Sequence, residues 1–98
     1  MSQIRVDNED KKWWVSGKLS FSTVDQLLLE FNQAVKDTPP KIIDLSKITH
    51  TDSAGLALLI EWLKFDNLIN FHNIPSQLLS IAAVSGVEEM FNSNASSR

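Results

Sequence analysis

The segment Asp44-Leu45-Ser46-Lys47-Ile48-Thr49-His50-Thr51-Asp52-Ser53-Ala54-Gly55-Leu56-Ala57 passes from an apolar strand through a polar stretch into a helix. Lys41-Ile42-Ile43-Asp44-Leu45 is short and β-branched and predicts a central strand. Residues 46–51 are predominantly polar and predict a loop. Asp52 or Ser53 then supplies a side-chain oxygen to cap a helix. Leu56, Leu59, Ile60 and Leu63 follow at the spacing of one buried helical face, to about residue 65 or 66. A serine hydroxyl is thereby placed in the first turn of a helix, at the carboxyl end of a strand. Unpaired N–H groups and the helix dipole make such an end electropositive. A phosphate on Ser53 would be partly stabilised by that field and repelled by Asp52. The same hydroxyl can also bond a partner unmodified, and both residues serve as helix caps in any reading.

Upstream, Ile4 and Val6 alternate with polar neighbours, as in an edge strand. The charged turn Asn8-Glu9-Asp10-Lys11-Lys12 joins it to Trp13-Trp14-Val15-Ser16, and the two predict a hairpin. After a connection over residues 17–21, Ser22 and Asp25 resemble a capping box. Val24, Leu27, Leu28, Phe31 and Val35 then mark one helical face, which Pro39-Pro40 terminates. Downstream, Ile69 and Phe71 alternate within residues 67–73 and predict a strand. Pro75 suits the first turn of a third helix, with Leu78, Leu79, Ala82 and Ala83 inward and Gly86 at its end. Val87, Met90 and Phe91 add a turn that docks on the core. The order is β-β-α-β-α-β-α. Alternation after the hairpin implies parallel pairing and right-handed crossovers. The expected fold is a single α/β domain over residues 1–91, a mixed sheet of about four strands with helices mainly on one face. A polar tail occupies residues 92–98.

Composition removes whole classes of function. Of 98 residues, 43% are apolar and 21% charged, which suits a folded domain and not a disordered chain. The absence of cysteine excludes disulfide scaffolds, thiolate zinc sites and thiol nucleophiles. Gly17, Gly55 and Gly86 are too dispersed for a dinucleotide fingerprint or a P-loop. A net charge of −3 with scattered basic residues does not suit a nucleic-acid binder. The start of the chain lacks a secretory h-region, and the longest apolar stretch, residues 54–63, is too short to span a bilayer. The expected location is the cytoplasm, with membrane association only through a partner.

Some residues admit two readings. Leu58, Trp62 and Phe65 form a second stripe on the Ser53 helix, about 100° from the first. It packs either within the domain or against a partner, and Gly55 beside it permits close backbone approach. Trp13 and Trp14 point to opposite sheet faces, one to the core and the other to the open face or a partner. His50 serves as a base only if brought to Ser53, with no second acid or oxyanion motif in support. Glu88-Glu89 reads as a solvated acidic patch.

Asp44-Leu-Ser followed by Thr51-Asp52-Ser53-Ala54-Gly55-Leu56 resembles the signature of the STAS domain, found in anti-sigma-factor antagonists and sulfate-transporter tails. The resemblance runs from Ile4 to about Phe91 and includes Gly17-Lys18-Leu19 and Val84-Ser85-Gly86-Val87. Within the family the chain is most similar to the small STAS subunits of the Mla (toluene-tolerance) phospholipid ABC transporters of Gram-negative bacteria. That likeness is carried by residues 17–24 and 71–87.

The resemblance implies a non-catalytic accessory subunit, cytoplasmic and peripheral at the inner membrane, with no cofactor or metal. It would bind the ATPase of a phospholipid transporter that maintains outer-membrane lipid asymmetry, and through it the permease. Partner contacts are expected at Thr51, Asp52, Ser53, Ala54, Gly55 and Ala57, with Leu58 and Trp62 as a second site. The alternative is an anti-sigma-factor antagonist, a switch phosphorylated at Ser53. The antagonists usually continue past the third helix with a strand and a long helix, for which too few residues remain here. That shortened end favours the transporter subunit.

Overall fold

The computed structural model describes residues 3–87 together with Glu89 and Phe91. Strand β1 (Gln3–Asp7) and strand β2 (Lys12–Leu19) form the expected hairpin, antiparallel from Gln3↔Ser16 to Asp7↔Lys12. Its turn is held by the Asp7 carboxylate, which accepts the N–H groups of Glu9 at 3.0 Å and Asp10 at 3.3 Å. Helix α1 (Val24–Asp37) leads to strand β3 (Ile42–Thr51), and helix α2 (Ser53–Phe65) to strand β4 (Asn70–His72). Helix α3 (Ser76–Ser85) follows. Both β2/β3 and β3/β4 are parallel, and the sheet order is β1-β2-β3-β4. The two crossovers step in the same direction, so right-handed connections put α1 and α2 on one face. Leu78 and Ala82 of α3 join the same core. Among the described residues the other face carries no helix.

The segment 46–51, expected as a loop, is strand. β3 has ten residues against the eight of β2. The two extra residues are absorbed where the register jumps from Trp14↔Asp44 to Ser16↔Lys47, and from Gly17↔Ile48 to Lys18↔His50. Each β-bulge flips the inward–outward alternation, so no period of two survives in the sequence. The first is braced by Asp44, whose Oδ1 accepts the Ser46 N–H at 2.8 Å. The strand expected within 67–73 is shorter, because Asp66 makes a turn by accepting the N–H of Leu68 on its carboxylate and of Ile69 on its carbonyl. Thr23, not Ser22, occupies the N-cap position of α1, and Ser22 and Asp25 do not form a capping box. The Thr23 hydroxyl accepts the Ser20 N–H at 3.1 Å and donates to the Lys18 carbonyl at 2.8 Å.

The core centres on Phe31 of α1. Its ring stacks on Trp62 at 5.0 Å and meets the edges of Trp13 at 5.2 Å and Phe65 at 5.4 Å. Trp13 is fully buried and donates its indole N–H to the Thr38 carbonyl at 3.1 Å. Its neighbour Trp14 is half-buried on the open face. Leu28 and Ala83, expected inside, lie exposed at the edges of their helical faces. Gly86 ends α3 in the left-handed region, φ 78°, as its position suggested. Phe91 is buried against Phe71 at 6.0 Å, so a contact beyond α3 does reach the core. Glu89 is exposed; Glu88, Met90 and the tail 92–98 lie outside the described residues.

Because Phe31 touches three aromatic rings from two other elements, Phe31→Ala should lower stability by about 3–5 kcal/mol. Urea denaturation followed by tryptophan fluorescence measures it, and a loss under about 1 kcal/mol would contradict this account of the core.

Candidate functional site

At the carboxyl end of β3 the chain turns into α2 around Asp52. Thr51, the last residue of β3, is buried and pairs with Leu19. Asp52 is extended, φ −148°, and caps α2. Its Oδ1 accepts the N–H groups of Ala54 at 2.9 Å and Gly55 at 3.2 Å. Its Oδ2 accepts the N–H of Phe21 at 3.1 Å. One carboxylate therefore joins the start of α2 to the loop between β2 and α1. Desolvation pushes its pKa up, but the N–H groups of Phe21, Gly55 and Ala54 and the charge of His50 outweigh that and hold it below the ordinary carboxylate value.

This arrangement changes the expected electrostatics. The N–H groups of Ala54 and Gly55 already donate to Asp52 and are not open to a phosphate. A phosphate on Ser53 would instead meet an adjacent, ionised carboxylate, so its dominant effect there is repulsion.

The close approach of α2 to the sheet depends on Gly55. A Cβ at that position would lie 2.2 Å from the Leu19 carbonyl oxygen and 2.6 Å from Thr51 Oγ1. Of the two readings, the glycine thus serves packing within the domain, admitting the chain's own backbone. Thr51, Gly55, Leu58 and Trp62 are all buried, which corrects their expected role as contact residues. Leu58 and Trp62 of the second stripe pack inward because α2 lies between α1 and α3 over the sheet, while Phe65, at the end of the helix, is 58% exposed with one side against Phe31. Trp62 is 1% exposed, and its indole N–H has no partner among the described residues.

Besides Phe65, what remains outward is one stripe, Ser53, Ala57, Glu61 and Lys64. Its far end is charged, with Glu61 and Lys64 paired at 3.6 Å. Its near end is small and neutral. Ala54 beside it is half-buried. The loop that Asp52 anchors adds Phe21, 82% exposed. Phe21 falls in the connection over residues 17–21, and its one sequence signal is a large apolar residue between serines, outside any helical stripe. His50 is exposed on β3 opposite Lys18. Among the described residues no three His, Asp or Glu side chains are grouped to hold a metal ion, and no helix is long and apolar enough to cross a membrane.

The helix-start motif, the order of elements and the mixed four-stranded sheet agree with the family match. The family model described as "Mlab, STAS domain" covers residues 3–92. The chain is a member of the STAS domain family. No curated protein matches the chain significantly. In this STAS domain the motif Asp52-Ser53-Ala54-Gly55-Leu56 divides its work: Asp52 and Gly55 build the turn, Leu56 enters the core, and Ser53 faces outward.

Two outcomes test the turn. Gly55→Ala should cost about 1–3 kcal/mol, since backbone must move to admit the methyl group; an unchanged urea midpoint would refute the close approach. Asp52→Ala should cost about 0.5–2 kcal/mol at neutral pH. The Asp52 carboxyl has a lower pKa folded than unfolded, so its contribution is full above the unfolded value of about 3.9 and is lost as pH falls through the folded value. The gap between wild type and Asp52→Ala should therefore narrow in acid. A gap that widens there would reverse the sign of the argument.

Proposed function

We propose that this STAS domain is a non-catalytic accessory subunit that binds the ATPase of a phospholipid-transporting ABC complex, one that maintains outer-membrane lipid asymmetry. The family description, which carries the Mlab name, supports the transport setting. The observation that carries the docking site is the exposed surface of Phe21, Ser53 and Ala57, fixed at its base by Asp52. A phenyl ring held out on an anchored loop suits insertion into an apolar pocket; full burial of such a side chain is worth about 1.5–3 kcal/mol. Ser53 and Ala57 are small, so a partner backbone can approach α2 closely, and the serine hydroxyl offers one donor and two acceptor positions. Docking influences the ATPase to the extent that one of its conformations fits this surface better than another. The domain contributes shape and hydrogen bonds, and membrane association follows from the complex.

A mild-detergent affinity pull-down of the chain from its native cell, with partners identified by mass spectrometry, tests this. The expected result is recovery of an ABC ATPase together with its permease. Phe21→Asp and Ser53→Arg should each remove both partners while leaving the circular dichroism spectrum and urea midpoint near wild type. Recovery of a soluble serine kinase without either transporter protein would overturn the proposal and favour a phosphorylation switch at Ser53.

A further inference from the structure

The sheet face opposite α1 and α2 is a second shaped surface. Strand register aligns Arg5 of β1, Trp14 of β2, Asp44 of β3 and His72 of β4 in one row across it. In the next row Gln3 pairs with Ser16, and Ser16 with Lys47. Lys47 takes that place because of the first β3 bulge; without it, Ser46 would stand opposite Ser16. Gln3, Arg5, Trp14, Ser16 and Lys47 line a depression of about 430 Å³.

The charges here are unequal. Lys12 is matched, with its Nζ 3.6 Å from Asp44 Oδ2 and 4.8 Å from the centre of the Trp14 ring. Asp44 is buried and further satisfied by the Ser46 N–H and by Asn73 Nδ2 at 3.0 Å. Asp7 is turned into the hairpin, where it accepts two N–H groups. Arg5 and Lys47 are exposed and form no ion pair among the described residues. A chain of net charge −3 thus presents two unmatched cations on either side of a half-buried indole.

We propose that this face docks a short acidic segment of a partner protein, with two carboxylates on Arg5 and Lys47 and an apolar side chain between them on Trp14. Arg5 and Lys47 lie two strands and one row apart, about 12 Å by ordinary strand spacing and rise. Four residues of extended chain span about 13 Å and return positions i, i+2 and i+4 to one face, which sets the separation of the two acids and places the apolar residue midway. A lipid surface fits less well. Polybasic membrane sites cluster about 4–8 Lys or Arg residues, whereas here two unmatched cations flank a depression that a flat headgroup layer does not fill. The site lies across the sheet face, apart from Phe21 and Ser53, and does not depend on the ATPase reading.

Panning a random peptide library displayed on phage against the folded full chain tests the proposal. Enriched peptides should carry two acidic residues about four apart with an apolar one midway, and should bind less tightly as salt rises. The double variant Arg5→Glu/Lys47→Glu should weaken them by about tenfold or more, or 1.4 kcal/mol, and Trp14→Ala should weaken them as well. Phe21→Asp should not. If the charge reversal fails to fold, Arg5→Gln/Lys47→Gln replaces it. Enrichment of peptides without acidic residues, no enrichment, or acidic peptides indifferent to these substitutions would overturn the proposal. So would sedimentation with phosphatidylglycerol vesicles that the charge reversal abolishes, which would assign the face to a lipid surface.

Discussion

The Asp52 carboxylate is the constraint on which the outward-facing part of this domain depends. It accepts three backbone N–H groups from two separate parts of the chain. Two belong to the first turn of α2, which would otherwise leave orphan donors at a helix start. The third belongs to Phe21, between β2 and α1. A neutral side chain could cap the helix, but bonds to an ionised acceptor are the stronger ones, and two oxygens are needed to reach in both directions. The depressed pKa follows from that geometry, since its donors favour the charged form. Ser53 and Phe21 owe their fixed relation to this one group.

The helix-covered face shows how the neighbouring glycine completes the constraint. Gly55 brings α2 against the Leu19 carbonyl, and the rest of the helix then lies close enough for Leu56, Leu59 and Leu63 to fill the space above β2 and β3. Phe31 and Trp62 stack across the α1–α2 boundary. The sheet below is asymmetric for the same reason. Trp13, Val15, Ile43, Leu45 and Phe71 face the helices and are buried, while alternate positions meet water and carry Arg5, Lys12 and Trp14. Asp44 is the exception on that outer side, a buried carboxylate. Burial raises its pKa, while Ser46, Asn73 and Lys12 together outweigh that and lower it.

Much of this was legible in the sequence where one physical signal acted alone. The antiparallel hairpin, the proline stop after α1 and Gly86 at the end of α3 each follow from a local rule and are found, although β2 runs on through residues 17–19, expected as part of a connection, because those residues pair with β3. The misreadings arose where two signals competed. Ser46 to Thr51 looked like a loop because two bulges broke the alternation and because half of that strand faces water. Leu58 and Trp62 looked available because a helical wheel assigns one buried side, and α2 has neighbours on more than one. Phe21 is marked by no local pattern because its anchor is Asp52, thirty-one residues away in sequence.

The outward stripe of α2 explains why a recognition surface can exist on a helix otherwise given over to the core. With Gly55, Leu56, Leu58, Leu59, Trp62 and Leu63 buried, substitutions along most of the helix act first on stability. Ser53, Ala57, Glu61 and Lys64 stand outside that requirement. The charged pair at the far end favours water, and desolvating it would oppose close contact. At the near end nothing charged lies on the stripe, and the side chains are the smallest on it. The stripe thus has a direction, solvated toward the carboxyl end and open to close packing toward Ser53. Phe21 stands beside the open end because the carboxylate that starts the helix also holds its loop. The surface proposed for docking and the packed core therefore meet at the first turn of α2, and Asp52 fixes the geometry of both.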